Sequence, residues 1–293
     1  MKLRESFIKL LSNMIINKEK RHIFRDKYRY KRIRIHEIKE VDNPIEPWAF
    51  IRVKNEIRTI EASLNSILPV IKKGVIGYND CTDGTEEFIL EFCKKNKGFI
   101  PCKYPYSVYP PSHEAYKVEG EEEKKLAAYY NYVLSKIPKN EWIMKVDCDH
   151  IYDAEKLKKV FSLAKKKNDC IILSRINLHY LNGKLYAFKN GVRVLETKDH
   201  WIINNYDLEF KLYSEYKNNR FIACETLDVN NRNIIMTDVT NWHFPCIKEE
   251  RKCEDISLLS PFEEIKDSYP MYKVTEDMID EQKILNRCKE FNL

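Results

Sequence analysis

Apolar residues recur along this chain in two different rhythms. Between residues 1 and 22 they fall at Leu3, Phe7, Ile8, Leu10, Leu11, Met14 and Ile15, the spacing of one apolar face on a helix. From Trp48 onward, short apolar runs alternate with helix-patterned stretches. Residues 48–53 predict a buried strand and 56–72 a helix ending near Lys72-Lys73-Gly74. Residues 74–78 predict a second strand, 86–95 a helix, 99–104 a third strand, 122–137 another helix and 141–146 a fourth strand. This alternation predicts an α/β fold, a mostly parallel sheet with helices on both faces. Such sheets bind ligands beyond the carboxyl ends of their strands. Three polar clusters fall at such ends: Lys54-Asn55-Glu56, Asn79 to Asp83, and Asp147-Cys148-Asp149.

From about residue 170 the pattern changes. Residues 170–176 are apolar, and Leu178–Tyr180 and Leu185–Phe188 flank Asn182-Gly183, a hairpin turn signal. Residues 234–239 read as a further strand. The second half is therefore expected to be mixed and partly antiparallel. The last 45 residues are highly charged, with a weak helical face. Pro44 and Pro47 mark a linker, giving three expected segments: 1–45, 46–247 and 248–293.

Charge changes the picture at one end only. The net charge is +6, but residues 1–34 hold twelve Lys/Arg against three Asp/Glu, so the remaining 259 residues carry a formal −3. A nucleic-acid-binding domain is usually basic over a face, so no nucleic-acid partner is expected for the main body. The basic N-terminal segment instead reads as a helix lying on an anionic membrane surface, or as a basic helix packed on the domain. No apolar run is long enough to span a bilayer, and no cleavage site marks a signal peptide. Nine cysteines at irregular spacings, with no C-x-x-C pair, read as free thiols in a reducing cytoplasm. Only seven glycines are present, and neither G-x-G-x-x-G nor G-x-x-x-x-G-K-[ST] occurs.

The candidate chemistry centres on Asp147 and Asp149. Two carboxylates one residue apart, just past a strand, can turn toward one hard divalent cation, which completes its shell with substrate phosphates. A metal there neutralises a diphosphate leaving group. The bare tripeptide equally suits a solvated loop; its place after a fourth parallel strand favours the site. His243, in Asn241-Trp242-His243-Phe244-Pro245, follows an apparent strand and is a candidate third ligand, or else a core histidine. An inverting sugar transfer also needs a carboxylate general base. The candidates are Glu225 first and Asp199 second, with Trp201 beside the latter able to stack on a sugar ring.

Four motifs in order, Phe50-Ile51-Arg52-Val53-Lys54-Asn55-Glu56, Tyr78-Asn79-Asp80-Cys81-Thr82-Asp83-Gly84-Thr85, the helix around Asn131, and Val146-Asp147-Cys148-Asp149, resemble a GT-A (Rossmann-like) glycosyltransferase of family 2 type. The nearest resemblance is to the bacterial β-1,4-N-acetylgalactosaminyltransferases of lipooligosaccharide biosynthesis, over about residues 46–247. The resemblance implies a UDP-sugar donor, bordered by Arg52, Asn55 and Glu56. It implies Asp80, or Asn79, at the uracil edge, and Asp83 as a helix cap. It places Lys124 or Lys125, with Asn131, near the diphosphate or donor sugar. Asp147, Asp149 and His243 would hold Mn2+ or Mg2+, with Asp149 the more direct ligand and Asp147 bridging toward the nucleotide. Glu225 falls where an acidic catalytic motif is expected, though alone rather than paired. The acceptor would be a lipid-linked glycan at the cytoplasmic face of the inner membrane, where residues 1–34 would hold the enzyme. The rival expectations are nucleotidyl transfer, metal-assisted phosphoester hydrolysis, or a non-catalytic sugar-nucleotide binder on the same fold.

Overall fold

A computed structural model of the protein describes residues 10–16, 31–188, 200–217, 220–229, 231–247, 256–268 and 274–290. In chain order the first half contains β1 (Lys31–Ile33), β2 (Trp48–Val53), α1 (Ile60–Ile67), β3 (Lys73–Tyr78), α2 (Thr85–Lys95), β4 (Phe99–Lys103), α3 (Leu126–Leu134), β5 (Trp142–Val146), β6 (His150–Tyr152) and α4 (Ala154–Phe161). The second half contains β7 (Asp169–Asn177), β8 (His179–Leu181), β9 (Lys184–Phe188), β10 (Trp201–Asn204), β11 (Phe210–Lys217), β12 (Arg220–Leu227), β13 (Asn233–His243) and β14 (Leu259–Pro261). Three short helices close the chain: α5 (Phe262–Ile265), α6 (Glu276–Ile279) and α7 (Glu281–Glu290).

One nine-stranded sheet runs in the order β1-β13-β7-β10-β5-β2-β3-β4, with β6 also paired to β13. Pairs β2–β3, β3–β4, β2–β5, β7–β13 and β1–β13 are parallel; β10 is antiparallel to both β5 and β7, and β6 to β13. Every residue of β7 is buried, which is why residues 170–173 within it read as a continuous apolar run rather than an alternation. Period two sorts β2 between two cores. Ile51 and Val53 face one apolar cluster, with Leu64, Ile89 and Leu157 from α1, α2 and α4. Phe50 faces the other, with Val133 from α3, Trp201 and Phe210. Helices therefore cover both faces of a mostly parallel sheet, and the antiparallel pieces, β11–β12 and β8–β9–β14, come from the second half.

Three predicted elements differ in extent, each for a local reason. The helix expected at 56–72 is shorter, because Lys54–Thr59 form a loop that Glu56 ties back: its carbonyl accepts from both Thr59 and Ile60 amides. The helix expected at 122–137 breaks at Lys125, whose backbone is extended and whose buried ammonium donates to the Val118 carbonyl at 3.1 Å. The strand expected at 234–239 continues to His243. Its polar end survives burial because Thr240 donates to Ser174 and Asn241 engages His150.

The ends of the chain join the same body. β1, with Ile35 in the first core, adds to β13. Val274, Met278, Ile284 and Cys288 pack with Trp242, Phe244 and Phe262 in a third apolar cluster. None of the eight described cysteines forms a disulfide. Among the described residues, no helix is long and apolar enough to cross a membrane.

Candidate active site

Strand direction gathers the polar clusters. The carboxyl ends of β2, β3, β5, β7 and β13 lie at one edge of the sheet, and the antiparallel β10 brings its amino end there too. At the β2 and β3 ends, Asn55 and Asp80 adopt left-handed backbone with φ of 52° and 45°, conformations that Asn and Asp tolerate best. The two loops interlock. The Asn55 side-chain oxygen accepts from the Thr82 amide at 2.9 Å, and Asp83 accepts from the amides of Ile57 (3.1 Å) and Thr85 (3.0 Å). Thr85 in turn accepts from the Glu56 amide at 2.8 Å, and the Glu56 carboxylate accepts from the Thr59 hydroxyl. Asp83 thus acts as a cap and a clip. Asp80 receives hydrogen bonds from Ser107 (3.1 Å) and Lys54 (3.5 Å), and Asn79 beside it is buried.

The Asp147-Cys148-Asp149 segment follows β5. Cys148 turns into the first core, so the two carboxylates are left on the site side. Asp147 accepts from Arg52 Nη2 and Lys145 Nζ, both at 2.9 Å, and His200 Nε2 lies 3.2 Å from it. Burial alone pushes its carboxyl up, but Lys145, His200 and Arg52 outweigh that and hold it well below the usual carboxylate range. The Arg52 guanidinium packs against the rings of Phe50 (4.4 Å) and Tyr130 (4.3 Å). The Arg52 and Lys145 side chains are both only 4% exposed, whereas that of Asp147 is a quarter exposed.

Beside this cluster three imidazoles stack, with His150 between His200 (4.2 Å) and His243 (4.4 Å). Burial pushes the His150 imidazole well below its ordinary value. Two donor groups result, Asp149 with His150 and His243, and Asp147 with His150 and His200. His243 Nδ1 lies 2.6 Å from the Asn177 side-chain oxygen, an acceptor, so Nδ1 carries the proton. In the neutral ring the Nε2 lone pair then faces an Asp149 oxygen at 3.4 Å. Two acceptors facing each other repel, and a cation between them turns the repulsion into attraction. A carboxylate with a neutral imidazole, oriented from behind by an amide, suits Mn2+ or a similar divalent ion.

The β11–β12 ribbon supplies the remaining carboxylate. Phe210, Leu212, Leu227 and Glu225 share one face of it, and Phe210 and Leu227 pack into the second core. Glu225 therefore points inward, and its charge is felt at Arg52, Tyr130 and Tyr116. Asn131 holds the ribbon: its amide donates to the Phe210 carbonyl and accepts from the Phe210 amide, both at 2.8 Å. Asn131 and Lys125 thus spend their polar groups on the protein itself. Trp201, expected to stack on a sugar, is 2% exposed and packs on Phe50 and Phe210, because the strand it opens is central. Asp199 lies outside the described residues. Sequence reading missed Lys145, Tyr130, Asn177 and His200. A lysine inside the apolar run Trp142–Val146 was a signal for the first; His200, placed before a strand rather than after one, carried none.

With that geometry in place, comparison with known proteins gives one broad match. The family model described as Beta-1,4-N-acetylgalactosaminyltransferase (CgtA) matches residues 3–289. No curated protein matches the chain significantly. Among solved structures, one titled only as a mycobacterial protein is similar at 13% identity over 46% of this chain, with a TM-score of 0.30; the chain spans 42% of that protein's length. Another is glucosyl-3-phosphoglycerate synthase from Mycobacterium tuberculosis in complex with Mn2+, UDP and phosphoglyceric acid. It is similar at 11% identity, covering 84% of this chain and 79% of that one, with a TM-score of 0.38.

Proposed function

This chain belongs to the beta-1,4-N-acetylgalactosaminyltransferase (CgtA) family of glycosyltransferases, and from that premise we propose a metal-dependent, inverting transfer of GalNAc or galactose from a UDP-sugar to a lipid-linked glycan. The observation that supports this most is the Asp149–His243 pair, whose facing acceptors call for a cation. It lies beside Asp147, the carboxylate that Arg52 and Lys145 neutralise.

In this reading Asp149 and His243 hold Mn2+ or Mg2+, with Asp147 adjoining. The ion, when bound, supplies positive charge against the diphosphate. Arg52, Asn55 and Glu56 border the nucleotide, and Asp80 or Asn79 meets the uracil edge. Lys125 and Asn131 act by shaping the wall that the donor sugar meets. Glu225 takes the proton of the acceptor hydroxyl while that oxygen bonds to the anomeric carbon and UDP leaves with the bonding pair. The basic N-terminal segment holds the enzyme against an anionic membrane, where a lipid-linked acceptor lies. Leu10 and Met14, one turn apart in the described part of that segment, are 64% and 77% exposed.

UDP release from a panel of UDP-sugars, with and without Mn2+ or Mg2+, is the direct test. Turnover is expected with metal alone, and Asp149→Ala and His243→Ala should each lose roughly 100-fold or more. Full activity in Asp149→Ala would refute the metal reading. Turnover of nucleoside triphosphates with none of UDP-sugars would select nucleotidyl transfer or hydrolysis instead.

A further inference from the structure

His200 belongs to a donor set, Asp147–His150–His200, that by proximity alone invites a second cation. Its hydrogen bonds argue otherwise. Arg175 Nη1 lies 2.6 Å from His200 Nδ1, and a guanidinium can only donate. Nδ1 is therefore an acceptor and carries no proton. A neutral imidazole then has its proton on Nε2, the atom 3.2 Å from Asp147 Oδ2. A doubly protonated ring would set two donors against each other at Nδ1, and a metal on Nε2 would displace the proton that faces Asp147. His243 is the mirror case, because its Nδ1 meets an acceptor and its Nε2 offers a lone pair.

We infer that His200 is a positioning residue: Arg175 sets its tautomer, and its Nε2–H, with Lys145 and Arg52, fixes the Asp147 carboxylate toward the donor, so that His200 is not a metal ligand. The two outer rings of the stack thus have opposite tasks, one turning an N–H toward Asp147 and the other offering a lone pair beside Asp149. Hydrogen bonds from Arg52 to Oδ1 and from Lys145 to Oδ2, with His200 Nε2 3.2 Å from Oδ2, orient the Asp147 carboxylate. This inference rests on the proposed metal site for its meaning in turnover, but the tautomer of His200 can be read without it.

The test uses the full-length wild-type chain labelled with 15N-histidine. Two-bond proton–nitrogen correlation spectra distinguish the Nε2–H from the Nδ1–H form, and the His200 signals are identified by their loss in His200→Gln. His200 is expected as the neutral Nε2–H form and His243 as Nδ1–H. On adding Zn2+ as a diamagnetic probe, the Nε2 signal of His243 should shift and that of His200 should not. An Nδ1–H form of His200, or a shift of its Nε2 on Zn2+, overturns the inference. If neither ring responds to Zn2+, the metal reading fails, and the His200 tautomer still decides the present point. Kinetics supply a second readout. His200→Ala should raise KM for the UDP-sugar about 10-fold or more while changing kcat and the half-saturating metal concentration much less. His200→Gln, which keeps an N–H in that direction, should recover most of the loss; equal loss in both variants argues against positioning.

Discussion

At the scale of single residues, the decisive contrast is between carboxylates. Asp147 is compensated by two buried cations and a histidine, so it is held ionised but is already occupied. Asp149 has a histidine lone pair opposite one oxygen, which suits a shared ion. Glu225 carries neither arrangement, faces the site from the ribbon, and is only partly buried, as a proton acceptor needs to be. Glu225→Gln is therefore expected to lower kcat by roughly 100-fold or more with little change in KM for the donor. Asp199→Asn should stay within a few-fold of wild type. Steady-state UDP release measures both, and the reverse ranking would move the base to Asp199. That Asp149 and His243 are neighbours was legible in sequence because both stand at carboxyl ends of parallel strands, Asp149 just past β5 and His243 closing β13. His200 was not, since a residue preceding a strand reaches the carboxyl edge only when that strand runs antiparallel.

At the scale of elements, the end of β13 is held from below by the short C-terminal helices. Trp242 Nε1 donates to the Met278 carbonyl at 2.9 Å, and Lys156 and Lys283 both reach Asp277, Lys283 also reaching Asp153 at 3.1 Å. Burial alone pushes the Asp277 carboxyl up, but Thr275, Lys283 and Lys156 overcome this and bring it to about 2 from its ordinary 3.8. A lowered folded-state pKa stabilises above the unfolded value and is lost as pH falls through the folded one. The contribution, about 1 kcal/mol after allowance for a half-exposed carboxylate, is thus complete above about pH 5 and fades between about pH 4 and 2. Asp277→Asn should lower Tm at pH 7 and approach the wild-type Tm near pH 2 to 3. An equal Tm difference at both pH values in calorimetry would argue against the clamp. The weak apolar face seen in the last 45 residues becomes intelligible here: Met278, Ile284 and Cys288 are buried, Ile279 and Leu285 are partly buried beside them, and the rest of α6 and α7 is charged or polar.

For the whole molecule, the question is how the basic N-terminus relates to the catalytic body. β1 pairs with β13, and His36 Nδ1 lies 2.6 Å from Asp238, so the body begins inside the segment that the charge pattern alone groups together. A deletion that tests membrane attachment must therefore stop at residue 30 and spare Lys31–Ile33. Removing residues 1–30 is expected to abolish cosedimentation with vesicles containing anionic lipid while leaving Tm and transfer to a soluble acceptor close to wild type. Undiminished vesicle binding would refute the anchor. High salt should weaken the binding of the intact chain, since attraction between exposed charges is screened.

Between residues 48 and 146 the sequence by itself determined which segments become strands and helices, that their sheet is parallel, and that Asp147, Asp149 and the Asn55 and Asp80 clusters share one edge. These follow from local periodicity and from the rule that parallel strands end together. Only the tertiary structure decided how those residues divide their tasks. Which donors reach Asp147, which histidine offers a lone pair and which a proton, and where Glu225 points depend on contacts across long chain separations. Arg52 with Asp147, Asn177 with His243, and Arg175 with His200 join residues from different strands. Hydrogen-bond direction at an imidazole is set by its partner, and no spacing along the chain encodes that.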